Sequence, residues 1–147
     1  MFKTIVVAVD GSDHAARAAE LAIDLAQRYG AKLFALSVYR HFSNLESSHS
    51  LVRTREVPES PDATLSVLAR EAADWVVDKA RERGFEQVEP VVRRGPAART
   101  IIEFAREKGA DAVVLGSRGL GDITGMLLGS VSHKVNSLAG CTCITVK

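Results

Sequence analysis

The feature that most narrows the fold of this chain is an alternation of short apolar runs with longer stretches whose apolar residues recur every three to four positions. The first run, Ile5-Val6-Val7-Ala8-Val9, is continuous rather than alternating, as expected of a strand covered on both faces. Strands are expected at Phe2 to Val9, Lys32 to Tyr39, Gln87 to Arg93, Asp111 to Leu115 and Cys141 to Val146. Helices are expected between them, at Ala15 to Tyr29, from Ser60-Pro61-Asp62 to Arg83, from Gly95-Pro96 to Gly109 and at Ser130 to Ala139. Gly30, Gly84, Gly109 and Gly140 punctuate the helix ends, Gly140 as a C′ residue. This βαβαβαβαβ order implies an α/β fold. It is a single domain over residues 1–147, an open five-stranded parallel sheet with helices on both faces and right-handed crossovers.

Helix periodicity places Ala18, Ala22, Leu25, Ala26 and Tyr29 on the inner face of the first helix. In the second helix the apolar stripe is Leu65, Leu68, Ala72, Trp75, Val76 and Ala80, with Trp75 as a core anchor. In the third, Ile101, Ile102 and Ala105 point inward. Pro90 cannot donate to a ladder, so the third strand belongs at a sheet edge. The connection from Arg40 to Pro61 is polar and long for a compact domain, which marks a lid, a partner-binding segment or a loop with a helical turn around Leu45 to Val52. His41 and His49 within it read as solvated loop histidines.

Gly116-Ser117-Arg118-Gly119-Leu120-Gly121 follows the fourth strand, and Gly129-Ser130-Val131-Ser132 opens the last helix. Glycines at such a junction let the backbone approach a ligand, and the free N–H groups and dipole of a helix start favour an anion such as phosphate. A Walker A loop is excluded, because Asp122 and Ile123 follow Gly121 where Lys and Ser or Thr would be needed. The dinucleotide fingerprint is excluded too, since these glycines are spaced G-x-x-G-x-G and follow a late strand. Ligands of doubly wound sheets sit at strand carboxyl ends where the strand order reverses. The strand ends richest in binding chemistry are the first, Asp10-Gly11-Ser12, and the fourth. If these are neighbours the order is 3-2-1-4-5, which also sends Pro90 to an edge.

In that site, backbone N–H groups of Gly119 to Gly121 and of Gly129 and Ser130 would hold phosphates, with the Ser130 and Ser132 hydroxyls adding bonds. Arg118 would reach a phosphate or a ribose, and Val38 would wall a base. Asp10 would accept hydrogen bonds from a ribose or base, or hold magnesium through water. Simpler roles compete: Asp10 or Ser130 as a plain helix cap, Arg118 as an exposed loop cation.

Composition bounds the rest. Nineteen Lys and Arg stand against eighteen Asp and Glu, a net charge of +1, which argues against a general nucleic-acid or membrane-surface binder. The N-terminal apolar run is too short for a signal peptide or a membrane span, and a cytoplasmic protein is expected. Cys141 and Cys143 have no zinc spacing and read as small packed residues on one strand face, with a redox or metal pair as the alternative.

Gly116-Ser117-Arg118-Gly119, nine residues, then Gly129-Ser130 resembles the G-x-x-G-x9-G-[ST] motif of ATP-binding universal stress proteins. The likeness extends to the opening Ile5-Val6-Val7-Ala8-Val9-Asp10-Gly11-Ser12, to Arg94-Gly95-Pro96-Ala97 and to Gly109-Ala110-Asp111. It implies the 3-2-1-4-5 sheet of the adenine nucleotide alpha hydrolase-like type. It also implies ATP or another adenine nucleotide (ADP or AMP), with magnesium. In that family the positions matching Asp10, Val38, Gly116, Arg118, Gly119, Gly129, Ser130 and Val131 line the nucleotide; Gly11, Ser12, Ser117, Gly121 and Ser132 adjoin them. The resemblance further implies a homodimer or tetramer joined through the last strand and a regulatory role in stress. Cys141-Thr142-Cys143 departs from the family, where a Pro followed by Val or Leu is common, and so bears on that edge. The Arg40 to Pro61 segment resembles that of stress proteins associated with TRAP-type transporters, which implies a membrane transporter component as a partner. The competing function is a slow ATPase or a self-phosphorylating enzyme using Ser130 or Ser132, which would need a base near the γ-phosphate. A pure interaction module with an empty cleft is the third reading.

Overall fold

A computed structural model describes residues 1–40, 61–120 and 128–147. In chain order the elements are β1 (Thr4–Ala8), α1 (Asp13–Tyr29), β2 (Lys32–Tyr39), α2 (Pro61–Glu82), β3 (Val88–Arg94), α3 (Ala97–Lys108), β4 (Ala112–Gly116), α4 (Ser130–Leu138) and β5 (Thr142–Val146). The sheet is parallel in every pairing and its order is β3-β2-β1-β4-β5. Pro90 therefore lies on an edge strand, where a missing N–H costs no central ladder bond. The 41–60 connection, with His41 and His49, and Gly121 lie outside the described residues.

Successive side chains of β1 enter opposite layers, as strand geometry requires. Ile5 and Val7 pack with the inner faces of α1 and α2, while Val6 packs with those of α3 and α4. Both layers are thus anchored on one strand whose centre, Ile5 to Val7, is fully buried, as its unbroken apolar sequence indicates.

Small side chains set the first layer. The inner face of α1 is Ala15, Ala18, Ala19, Ala22, Ile23 and Ala26. Tyr29, expected inside, is 47% exposed and packs edge-on against Phe2, with ring centroids 5.2 Å apart. The inner face of α2 is Ala69, Ala73, Val76, Val77 and Ala80, rotated from the expected stripe. Leu68 is 55% and Trp75 37% exposed. The alanine face lets α2 lie close to the sheet and to α1, and the bulkier residues are carried to the rim. Trp75 is not the core anchor that its size suggests.

In α3, Phe104 joins Ile101 and Ala105 inside, and Ile102 is only half-buried. Gly30 and Gly109 end α1 and α3 in the left-handed conformation, with φ of 63° and 61°. The expectation of a C′ role for Gly140 fails. α4 ends on an extended Ala139 (φ −70°, ψ 139°), and the chain passes straight into β5 without a left-handed residue. Cys141 and Cys143 both pack against the α3–α4 cluster, and burial raises both thiol pKa values. Cys143 is thus a packing residue of β5, whereas Cys141, expected on the same strand, packs just ahead of it.

Asp111 clips the start of β1 to the start of β4. Its Oδ2 accepts the N–H groups of Lys3 (2.7 Å) and Thr4 (2.8 Å). Those bonds, that of Lys3 first, hold its carboxyl below the usual value of 3.8. A pKa depressed on folding stabilises the fold fully above 3.8, and the effect is lost as pH falls through the lower folded value. Asp111→Asn is therefore expected to unfold at lower denaturant concentration than the parent at neutral pH, with the gap closing as pH drops below 3.8. Equal midpoints at neutral pH would show that the clip contributes nothing.

Candidate functional site

The carboxyl ends of β1 and β4 adjoin at the point where strand order reverses, and a cleft of about 540 Å³ opens above them. Its construction starts at Gly116. An added Cβ there would lie 2.8 Å from both the carbonyl carbon and the Cβ of His14, and 2.9 Å from the Ala15 nitrogen. Gly116 therefore lets the first turn of α1 sit directly on the end of β4.

On the β1 side, Asp10 Oδ1 accepts the Ser12 N–H at 2.9 Å, and Oδ2 accepts the Leu120 N–H at 3.3 Å. Its carboxylate thus bridges the β1 loop and the β4 loop. The cap of α1 is Ser12, whose Oγ accepts the Ala15 N–H at 3.2 Å, so Asp10 is free of that role. Gly11 carries a φ of 85° in the turn between them.

On the β4 side, Ser117 is only 2% exposed and every polar group it has is engaged. Its N–H donates to Val146 O at 2.7 Å. Its carbonyl accepts from Gly129 N at 2.6 Å and from Ser132 Oγ at 2.8 Å. Its Oγ lies 2.9 Å from His14 Nδ1. These bonds fix the start of α4 against the end of β4.

The N-cap of α4 is Gly129, which has no side chain to cap with, and the first intrahelical bond runs from His133 N to Gly129 O. The N–H groups of Ser130, Val131 and Ser132 precede it and have no partner within the helix. These three residues line the cleft. Ser130 is the first helical residue, not the cap.

Of the residues anticipated from sequence, Asp10, Ser12, Val38, Gly116, Arg118, Gly119, Ser130, Val131 and Ser132 line this one cleft. Gly11 lines an adjoining groove with Ser12, Arg118 and Gly119. Ser117 and Gly129 lie behind the surface as framework. The Ser132 hydroxyl is buried and directed at two carbonyls, Ser117 O and Gly129 O (3.1 Å), rather than at the cleft. Apolar residues Ala8, Val9, Leu36, Val38, Ile101 and Leu115 line the cleft together with the charged groups Asp10, Arg40 and Arg118.

Sequence reasoning missed Arg40, Ala97, Ile101 and His14. Arg40 directly follows β2, the strand next to β1, a position that the sheet order itself could have flagged. His14 carried no such signal: its contact with Ser117 depends on how closely α1 meets β4. Among the described residues no cluster of His, Cys, Asp and Glu is able to hold a metal by itself, and no helix is long and apolar enough to cross a membrane.

A sequence model of the universal stress protein family matches residues 1–147. The chain is 35% identical over 150 residues to the universal stress protein YxiE of Bacillus subtilis, with all of both chains covered. Its structure resembles that of a universal stress protein solved in complex with cAMP (TM-score 0.72, 26% identity, 99% of this chain and 97% of that one). It also resembles the universal stress protein of Archaeoglobus fulgidus in complex with dAMP (TM-score 0.69, 27% identity, 99% and 98% covered).

Gly116→Ala tests the cleft's framework. The colliding atoms include backbone of α1, so the helix start must move, at a cost of about 1–3 kcal/mol by the usual scale of overpacking. Chemical denaturation is expected to show a loss in that range. Stability equal to the parent would mean that α1 does not approach β4 this closely.

Proposed function

Because the chain belongs to the universal stress protein family, we propose that its cleft binds ATP and that the protein acts as a nucleotide-dependent regulator in the stress response. The observation that carries this reading is the N-terminus of α4, which has no side-chain cap and whose first residues line the cleft. Phosphates would accept those N–H groups, aided by the helix dipole and by Arg118. The apolar wall around Val38 suits an adenine ring, and Asp10 a ribose or base donor. The cAMP and dAMP complexes of the related structures support an adenine nucleotide as the ligand class.

Magnesium would arrive with the phosphates and keep several waters, and Asp10 is the one carboxylate among the described cleft residues that could meet it. That carboxylate already accepts two backbone N–H groups, which favours a positioning role over that of a general base. Regulation would work through differential binding: a partner recognises the nucleotide-bound state and shifts its population. The open ladder of edge strand β5 is the surface through which a homodimer or tetramer would form. A cytoplasmic setting and a transporter component as the reader belong to the same proposal.

Freshly purified protein, denatured and freed of its chain, is expected to release ATP near one per chain, identified by chromatography and mass. Mostly ADP would shift the reading to slow hydrolysis. No nucleotide, together with no binding of added ATP and magnesium, would overturn it.

Ser130→Asp separates site from fold. An acid in the first turn suits the helix dipole and keeps α4 folded. The same carboxylate faces the phosphates, and like charges about 4 Å apart repel by about 4 kcal/mol near a protein surface before solvent screening. ATP affinity is expected to fall at least about tenfold with the melting temperature unchanged. Unaltered affinity would place the phosphates elsewhere.

A further inference from the structure

The valley between α3 and α4 forms a second compartment, of about 560 Å³ against about 540 Å³ for the cleft. The two share Arg40, Ala97, Ser130 and Val131, so the valley begins where the N-terminus of α4 closes the cleft. Its charge is one-sided. Arg40, Arg99, Arg106 and Lys134 line it, opposed by Glu103 alone. Glu103 is already paired with Arg99 at 2.9 Å, which leaves Arg40, Arg106 and Lys134 unbalanced among the described lining residues. α4 itself contains no acidic residue. From Ala97 to Arg106 the valley runs about 14 Å at the helical rise of 1.5 Å per residue. That is long enough for several linked phosphates. Beside the cations lie apolar groups, the half-buried Ile102 and Leu138, which is 67% exposed.

A triphosphate seated at α4 would end at Ser130 within reach of Arg40, which also lines the cleft, and leave Arg106 and Lys134 without an anion. A ligand that meets all of the lining must carry more phosphate than ATP and end in a flat, partly apolar group. We infer that the full ligand of this protein is a dinucleoside polyphosphate. Its first adenine nucleotide occupies the cleft, its phosphate chain passes Ser130 and Val131, and its second nucleoside rests against Ile102 and Leu138. Continuity with the phosphate-binding end favours one covalent ligand over an acidic peptide, which would need no such junction. The inference rests on the proposed nucleotide reading of the cleft.

Titration calorimetry on the intact protein with ATP, adenosine tetraphosphate and diadenosine pentaphosphate tests it. Diadenosine pentaphosphate is expected to bind about tenfold more tightly than ATP, one per chain, as two additional exposed charge pairs would give. In the double variant Arg106→Gln, Lys134→Gln that advantage is expected to shrink to within twofold while ATP binds as in the parent. Both residues lie outside the cleft and on the surface, so the fold is not at stake. The inference is overturned by an absent advantage or by one that survives the double variant. Adenosine tetraphosphate gaining as much would remove the second nucleoside. One ligand per two chains would mean that it bridges two clefts instead. ATP failing to bind the parent protein would overturn the cleft reading itself, a result distinct from all of these.

Discussion

Ser117 is the junction on which the site depends. It is buried, and its backbone and hydroxyl join β5 through Val146, α4 through Gly129 and Ser132, and α1 through His14. A buried carbonyl without partners would cost about 1–3 kcal/mol, and this one accepts two hydrogen bonds. The consequence is directional. With its carbonyl fastened to the first turn of α4, the N–H groups at the start of that helix are held at the mouth of β4. A cluster of backbone donors is only as well placed as the backbone, and here three elements hold it.

The same junction explains why the first layer is built from alanine. Gly116 next door leaves no room between β4 and the start of α1, so α1 must present small residues along its inner face, and it does so from Ala15 to Ala26. A helix held this close leaves no space for large side chains between it and its neighbour α2, which also turns alanines and valines inward. Leu68 and Trp75 are thereby displaced to the rim. The cost of a tight site is an exposed tryptophan, and the two facts have one cause.

That cause also marks the limit of what the residues alone disclose. The sheet order was legible, because setting the binding chemistry of Asp10 beside that of Gly116 gives an order that also sends Pro90 to an edge. Most of the cleft was legible too, since strand ends at a topological switch point are where ligands sit. The inner face of α2 was not. A periodicity argument ranks Leu68 and Trp75 above Ala69 and Ala73, since it weighs apolar area and knows nothing of the available space. His14 was invisible for a related reason: its partner lies 103 residues away and is reached only through close packing. Gly140 misled because a glycine after a helix suggests a left-handed cap, yet Ala139 already turns the chain into β5.

Two helix N-termini meet at the switch point, and the chain treats them oppositely. That of α1 is closed by Ser12, whose hydroxyl takes the Ala15 N–H, and by Asp10, which orders the turn before it. That of α4 is left to Gly129, a residue with nothing to cap with. A glycine cap in place of serine costs only about a few tenths of a kcal/mol, so this nine-residue helix keeps its donors open at little loss of stability. On the proposed reading, donors left open at the floor of a cleft, backed by a buried junction and flanked by Arg118 and Arg40, would gain stability from a bound anion. Binding and local order at α4 then become one equilibrium, so a partner docking near α4 would distinguish the filled cleft from the empty one without any large movement of the sheet.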